Sequence, residues 1–441
     1  MHSIENEMEK KNPITNAEII AMMRYGYFES MKELAGDSNR MKAVFEQKPK
    51  GYIHYDFPEY EVLVSDGSEI YMIPGDRLVR AKDGSFHMIF RALDGFTAKW
   101  GRTKDENPTH CPFGNEIADI EITTSCYGIR DKDGNRAPCM FCYKSNQPNG
   151  LYMKFEDFKR VFDLMSQPKT MTQIAFGVDA ECKTNPDVWK IMDCCREHRV
   201  IPNVTVADID DQTAENIVKR CGACAVSAYE RNIRCCYESI INLARHRARL
   251  KKPNFKINIH CLLSEETKDL AWRLLDDYVA VHEKSDGKEC KFALREINAI
   301  VFLSLKQKGR GEGFHILSED EYRKIIDFCF EHHIPFGMDS CGANKFLRAV
   351  EGRSDFNKIE EMVEECESTR CSFYLNAEGR AFPCSFMEGE NGWKDGINLL
   401  DSKVSDYGKE IWHHPKVEEF RGTALKCIEC KGRNQCPHYK V

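Results

Sequence analysis

A strand-then-helix alternation, repeated six times, constrains this chain more than any other feature. Apolar runs predicted as strands fall at 117–123, 171–177, 203–207, 224–228, 256–262 and 297–305. Helix-spaced patterns fill the gaps between them. Val188, Ile191, Met192 and Cys195 recur at i, i+3, i+4 and i+7 behind Pro186, a residue suited to a first helical turn. Ser264 with two following glutamates opens a further helix, its acids near the positive end. Ser318-x-x-Glu321 forms a capping box ahead of Tyr322, Ile325, Ile326 and Cys329, which share one face. Consecutive βα units require a parallel sheet with crossover helices. A closed eight-stranded barrel takes about 250 residues, and this repeat spans roughly 200. The predicted fold is therefore α/β, a partial (βα)6 TIM-type barrel over residues 113–335.

The flanks differ. Residues 1–112 read as an N-terminal α+β accessory domain: a helix over 15–33, then a small antiparallel sheet whose Asp83-Gly84 pair is a hairpin turn. Residues 336–441 read as a small cysteine-rich C-terminal domain. The mean hydropathy of −0.53 excludes a membrane-embedded chain, and no apolar run approaches the roughly 20 residues of a spanning helix. Glu5, Glu7, Glu9, Lys10 and Lys11 occupy the place of a signal-peptide core, so a cytoplasmic location is expected. A net charge of −7 disfavours coating nucleic acid by bulk charge. The local run Arg245, Arg247, Arg249, Lys251 and Lys252 reads first as a solvated helix face.

Cysteine supplies the chemistry. There are 21 of them in a chain too long to need disulfide staples. Parallel sheets carry their sites at the C-terminal ends of the strands, and Cys126 stands just beyond the first strand. Cys139-x2-Cys142 follows, and Asp131-Lys132-Asp133-Gly134-Asn135 can turn a hairpin that returns the chain to Cys126. On spacing alone the trio suits an iron–sulfur cluster with one open iron and a structural zinc equally well. In the tail, the turn Asn376-Ala377-Glu378-Gly379 brings Cys371 and Cys384 together, and Cys427-x2-Cys430-x5-Cys436 packs three thiols into ten residues. The other cysteines, Cys221-x2-Cys224 included, fall in helix or strand patterns and read as buried thiols. Their abundance suits a reducing, anaerobic cytoplasm.

The run from Asp119 to Cys126, with Phe141 directly before Cys142, resembles the cluster loop of the radical S-adenosylmethionine (SAM) superfamily, although twelve residues separate the first two cysteines where the common motif has three. The resemblance implies that Cys126, Cys139 and Cys142 hold three irons of a 4Fe–4S cluster whose fourth iron chelates SAM. Reductive cleavage of SAM would give methionine and a 5′-deoxyadenosyl radical that abstracts hydrogen from substrate. The cofactor-binding positions it implies are Phe141; Gly177, Asp179 and Glu181 after the second strand; Thr205 and Asp208 after the third; Ser227 and Tyr229 after the fourth; Asn258 and His260 on the fifth; and Leu303 on the sixth. By residue type alone, a strand-end Ser or Thr is more often a helix cap, and His260 more often a satisfied core group. Gly309-x-Gly311-x-Gly313 reads as a flexible loop.

The tail resembles the SPASM or twitch extension of that superfamily, with Gly379-x4-Cys384 and the Cys427, Cys430, Cys436 run in place; Lys440 stands where a further cysteine is expected. It implies at least one auxiliary iron–sulfur cluster drawn from Cys366, Cys371, Cys384, Cys427, Cys430 and Cys436, with Cys341 or His438 as fourth partners of a second. The implied activity is that of an oxidoreductase acting on a peptide or protein side chain, with an external electron donor such as flavodoxin or ferredoxin. The alternatives are the same chemistry on a nucleotide, RNA or small metabolite, and a non-catalytic zinc-stabilised binding protein.

Overall fold

A computed structural model describes residues 76–103, 106–131, 133–282, 289–364, 366–390 and 392–429, together with strand segments 53–56, 61–64 and 68–73. The helix expected over 15–33 lies outside these, as do Cys430, Cys436 and His438. The chain divides into two compact units, residues 1–113 with 167–172, and 114–166 with 173–441. In the first unit, β1 (Ile53–Asp56), β2 (Glu61–Val64), β3 (Ser68–Ile73), β4 (Asp76–Ala81), β5 (His87–Arg91) and β6 (Phe96–Trp100) form an antiparallel meander in chain order. The Asp83-Gly84 turn joins β4 to β5, with Gly84 at φ 75°. Val79, Ala81, Phe86, Met88 and Cys111 form its core, with Phe113 packed against them.

The second unit is built on one open ten-stranded sheet in the order β15-β14-β13-β12-β11-β10-β7-β16-β17-β18. Its strands are β7 (Ile117–Glu121), β10 (Gln173–Gly177), β11 (Ile201–Val206), β12 (Ala223–Ser227), β13 (Lys256–Leu263), β14 (Ala299–Ser304), β15 (Phe336–Met338), β16 (Ser372–Leu375), β17 (Arg380–Phe382) and β18 (Ile397–Asn398). A two-stranded hairpin, β8 (Ile129–Arg130) with β9 (Arg136–Ala137), hangs beyond β7. β7 and β10 to β15 run parallel. That is one parallel strand more than the sequence pattern gives: β15 has three residues, too few to register a period. β16 also joins, pairing in parallel with β7 through Ser372↔Ile117 to Leu375↔Ile120, and β17 and β18 continue antiparallel.

Strand alternation sorts side chains between helices and cavity. β13 alternates fully, Ile257, Ile259, Cys261 and Leu263 being buried while Asn258, His260 and Leu262 share the other face. Helices α1 (Phe155–Met165), α2 (Val188–Glu197), α3 (Asp211–Arg220), α4 (Ile233–Arg249), α5 (Lys268–His282) and α6 (Glu319–Glu331) follow successive strands; α7 (Ala343–Val350), α8 (Phe356–Met362) and α9 (Pro415–Glu429) complete the set among the described residues. The expected apolar stripes are the buried ones, Val188, Ile191, Met192 and Cys195 on α2 and Tyr322, Ile325, Ile326 and Cys329 on α6. Each such large aliphatic contributes about 1.5–3 kcal/mol. Ser318 caps α6, its hydroxyl accepting from Glu321 N at 3.3 Å.

Candidate active site

Past β7 the chain runs along 147–152, Cys126 N donating to Gln147 O at 3.0 Å. It then enters the β8–β9 hairpin, closed by Asp131, whose carboxylate accepts from the amides of Asp133 and Asn135 at 2.9 Å each. The hairpin returns the chain to Cys139, as the turn residues imply. Gly128 makes this geometry possible. Its φ is +77°, its N–H points at Cys126 Sγ at 3.4 Å, and a Cβ there would lie 1.9 Å from Ala137 O. Gly128→Ala is therefore expected to displace the hairpin and lower thermal stability while far-UV circular dichroism stays native, which thermal melting would check.

Cys126, Cys139 and Cys142 line one cavity of about 620 Å³, within the range of small-molecule sites. Burial pushes the Cys139 thiol up to about 11, opposed by a hydrogen bond from Tyr229, and raises Cys126 as well. Phe141 stacks on Tyr229 with ring centroids 5.4 Å apart. Gly177, Thr205, Ser227, His260 and Leu303 line the same cavity from β10 to β14. Asp179, Glu181, Asp208 and Asn258 do not. Asp179 is committed to its own loop, accepting from the amides of Glu181, Lys183 and Thr184. Glu181 pairs with Arg136 at 2.6 Å. Asp208 is gripped by Arg130 of the hairpin; burial would raise its carboxyl, but that bidentate partner outweighs it and holds the group below its ordinary value. Asn258 lies one alternation below His260.

Three arrangements around the cavity are not legible in the sequence. The Gly309–Gly313 stretch is a short 3-10 turn pressed onto the cysteine loop. Arg310 donates from N to Cys142 O at 3.1 Å, from Nε to Cys139 O at 2.8 Å and from a terminal nitrogen to Asn146 O at 3.1 Å. A Cβ on Gly309 would meet Tyr143 O at 2.4 Å, so this loop is a clamp rather than a flexible linker. Second, buried Lys306 pairs with Asp339, which also accepts from Ser304 Oγ at 2.9 Å, beside Cys341. Third, Lys144 joins Glu121 (3.2 Å), Tyr374 Oη (2.8 Å) and Glu388, tying the cysteine loop, β7 and the tail together. Charged residues at inward positions of an otherwise apolar strand, as in Asp119-Ile120-Glu121, are the available signal.

Of the tail cysteines, Cys341, Cys366 and Cys384 line the cavity; Cys371, which starts the β16 hairpin, is buried outside it. Cys427 lies in the last turn of α9, its side chain outside the described residues. Among the described residues no three His, Cys, Asp or Glu side chains converge as a single metal ion would require. Cys221 and Cys224 are fully buried thiols. The basic run on α4 is largely neutralised: Arg245 meets Asp211 (2.8 Å), Arg247 Glu296 (2.5 Å) and Arg249 Glu215 (2.8 Å). No described helix is long and apolar enough to cross a membrane.

The second unit, an open and mainly parallel α/β sheet with its cysteines at the strand ends, has counterparts among solved structures. Streptococcus suis SuiB bound to precursor peptide SuiA superposes with a TM-score of 0.51 at 15% identity, over 70% of this chain and 67% of SuiB, a shared fold. SuiB bound to S-adenosylmethionine gives 0.48 at 15% identity over 72% and 69%; BtrN in complex with AdoMet and 2-DOIA gives 0.36 at 12% identity over 70% and 87%. No family model matches the chain. Nuclear fusion protein KAR5 of Eremothecium gossypii is 29% identical over 99 residues, 21% of this chain, which spans only 20% of that protein's length.

Proposed function

We propose that the chain is a radical SAM enzyme that acts on a peptide or protein side chain. The observation that carries this is the gathering of Cys126, Cys139 and Cys142 on one cavity wall at the C-terminal end of β7 in an open parallel sheet. The residues fit a cluster. Cys126 Sγ receives the Gly128 amide and Cys139 the Tyr229 hydroxyl, the hydrogen bonds that tune cluster thiolates. When bound, the cluster and SAM supply a 5′-deoxyadenosyl radical that takes hydrogen from the substrate.

The protein's own residues bind, orient and shield. Arg310 fixes the carbonyls of Cys139 and Asn146. Phe141, Tyr229, Ser227, Thr205 and Gly177 line the space in which SAM would lie, with His260, the register neighbour of Ser227, and Leu303 continuing that lining along the sheet. Cys341, Cys366 and Cys384, lining the same cavity, would join Cys427, Cys430 and Cys436 around at least one auxiliary cluster. Met140, between Cys139 and Cys142, is 74% exposed, so that loop is open to an external electron donor such as flavodoxin or ferredoxin. The shared fold with SuiB, solved with a precursor peptide, supports a peptide substrate.

Anaerobically reconstituted protein is expected to bind roughly seven or more irons per chain and to release 5′-deoxyadenosine on reduction. A colourless, zinc-loaded protein with no SAM cleavage under any reductant would sink the proposal.

A further inference from the structure

Among the described residues the cavity contains one acidic group, Asp119, whose charge its wall leaves unanswered. Asp119 stands two residues before Glu121 on β7, so the two carboxyls share a face. Its register neighbours are Ala175 on β10 and Tyr374 on β16. Ala175 and Gly177 keep the β10 side of both carboxyls clear of long side chains, which leaves room for a ligand rather than for a protein partner. The cations of the described wall are committed elsewhere: Lys144 to Glu121, Glu388 and Tyr374, Lys306 to Asp339, and Arg310 to backbone carbonyls. His260 supplies no charge, because burial pushes it down to about 4. Among the described residues Asp119 has neither ion pair nor hydrogen bond, and burial alone pushes its carboxyl up to about 6. An unpaired carboxylate largely withdrawn from bulk water is costly to ionise until a counter-charge reaches it.

We propose that Asp119 is the recognition carboxylate for the substrate, receiving a cationic nitrogen group, a primary ammonium or a guanidinium, at the base of the cavity. The proposal rests on the catalytic reading above and narrows it from any side chain to a basic one. An anionic group beside Asp119 would face an unanswered like charge, since the lysines of the cavity are already paired with Glu121 and Asp339.

The test uses capped amino acids as probes. Acetyl-lysine and acetyl-arginine N-methylamides, with the norleucine and glutamate analogues, are titrated calorimetrically into protein purified and reconstituted anaerobically. At least one basic probe should bind tenfold or more tightly than norleucine, with no binding of glutamate. Asp119→Asn should erase that preference, and Asp119→Glu, which restores the charge, should recover part of it. Equal binding of norleucine and the basic probes to the unaltered protein would overturn the proposal without any variant. So would a preference that survives in Asp119→Asn, or one that disappears in saturating SAM, which would assign Asp119 to the cofactor's own cationic groups. None of these titrations depends on SAM cleavage, so failure of the catalytic reading would appear in a different measurement.

Discussion

Cys126→Ala is expected to remove about four irons per chain and to abolish 5′-deoxyadenosine formation, while leaving the fold intact. Its sulfur is the member of the trio tied to β7 and to the Gly128 amide, and without it two thiols are too few to retain the cube. Two comparisons make the result specific. Cys224→Ala, in the buried core, should change thermal stability modestly and iron content not at all. Cys384→Ala should lower iron content while SAM cleavage persists, because that residue belongs to the tail. Iron assay, visible absorption and product analysis on the same anaerobic preparations distinguish these outcomes. Unchanged iron and undiminished cleavage in Cys126→Ala would refute the assignment of the trio.

Lys144→Met should cost about 3–5 kcal/mol, roughly a four- to seven-degree fall in Tm, measured by thermal melting. Lys144 is 13% exposed, Glu121 6% and Glu388 25%, so the substitution strands two carboxylates largely out of water. In the intact protein burial already raises the Glu121 carboxyl, and Lys144 is its main opposing influence. Losing that cation raises it further. A carboxyl whose folded-state pKa exceeds its unfolded value favours the fold when protonated, so the deficit of the variant should shrink as pH is lowered and widen as it rises. Adding Glu121→Gln and Glu388→Gln should recover most of the loss, because a neutral network has no stranded charge. A Lys144→Met protein as stable as the parent at pH 8 would show that the network contributes nothing to the fold.

Local signals carry through from sequence to structure, and distant ones do not. The Asp131–Asn135 turn, the Asn376–Gly379 turn and the Ser318 cap each act within a few residues, so their chemistry is complete in the sequence itself. The alternating strands and their helix stripes are likewise legible, because burial on one face leaves a period. What escapes is pairing between remote segments. Phe373-Tyr374-Leu375 announces a strand but not that its partner is β7, and Lys144 announces a charge but not Glu388, 244 residues away. Arg310 reads as part of a loose glycine loop because its acceptors are backbone carbonyls, which every residue carries. Strand-end location points to Asp179 and Asp208 as cofactor contacts; the fold turns them to loop amides and to Arg130 instead.

The parallel pairing of β16 with β7 has a consequence for biogenesis. β7, which delivers the cysteine loop, is flanked by β10 on one side and by a strand more than 250 residues downstream on the other. On the ribosome its second edge stays bare until residue 375 has emerged, and closing so long a loop is slow. A nascent or prematurely terminated chain therefore offers an open strand edge, prone to mispairing with its neighbours, right beside the loop that carries Cys126, Cys139 and Cys142.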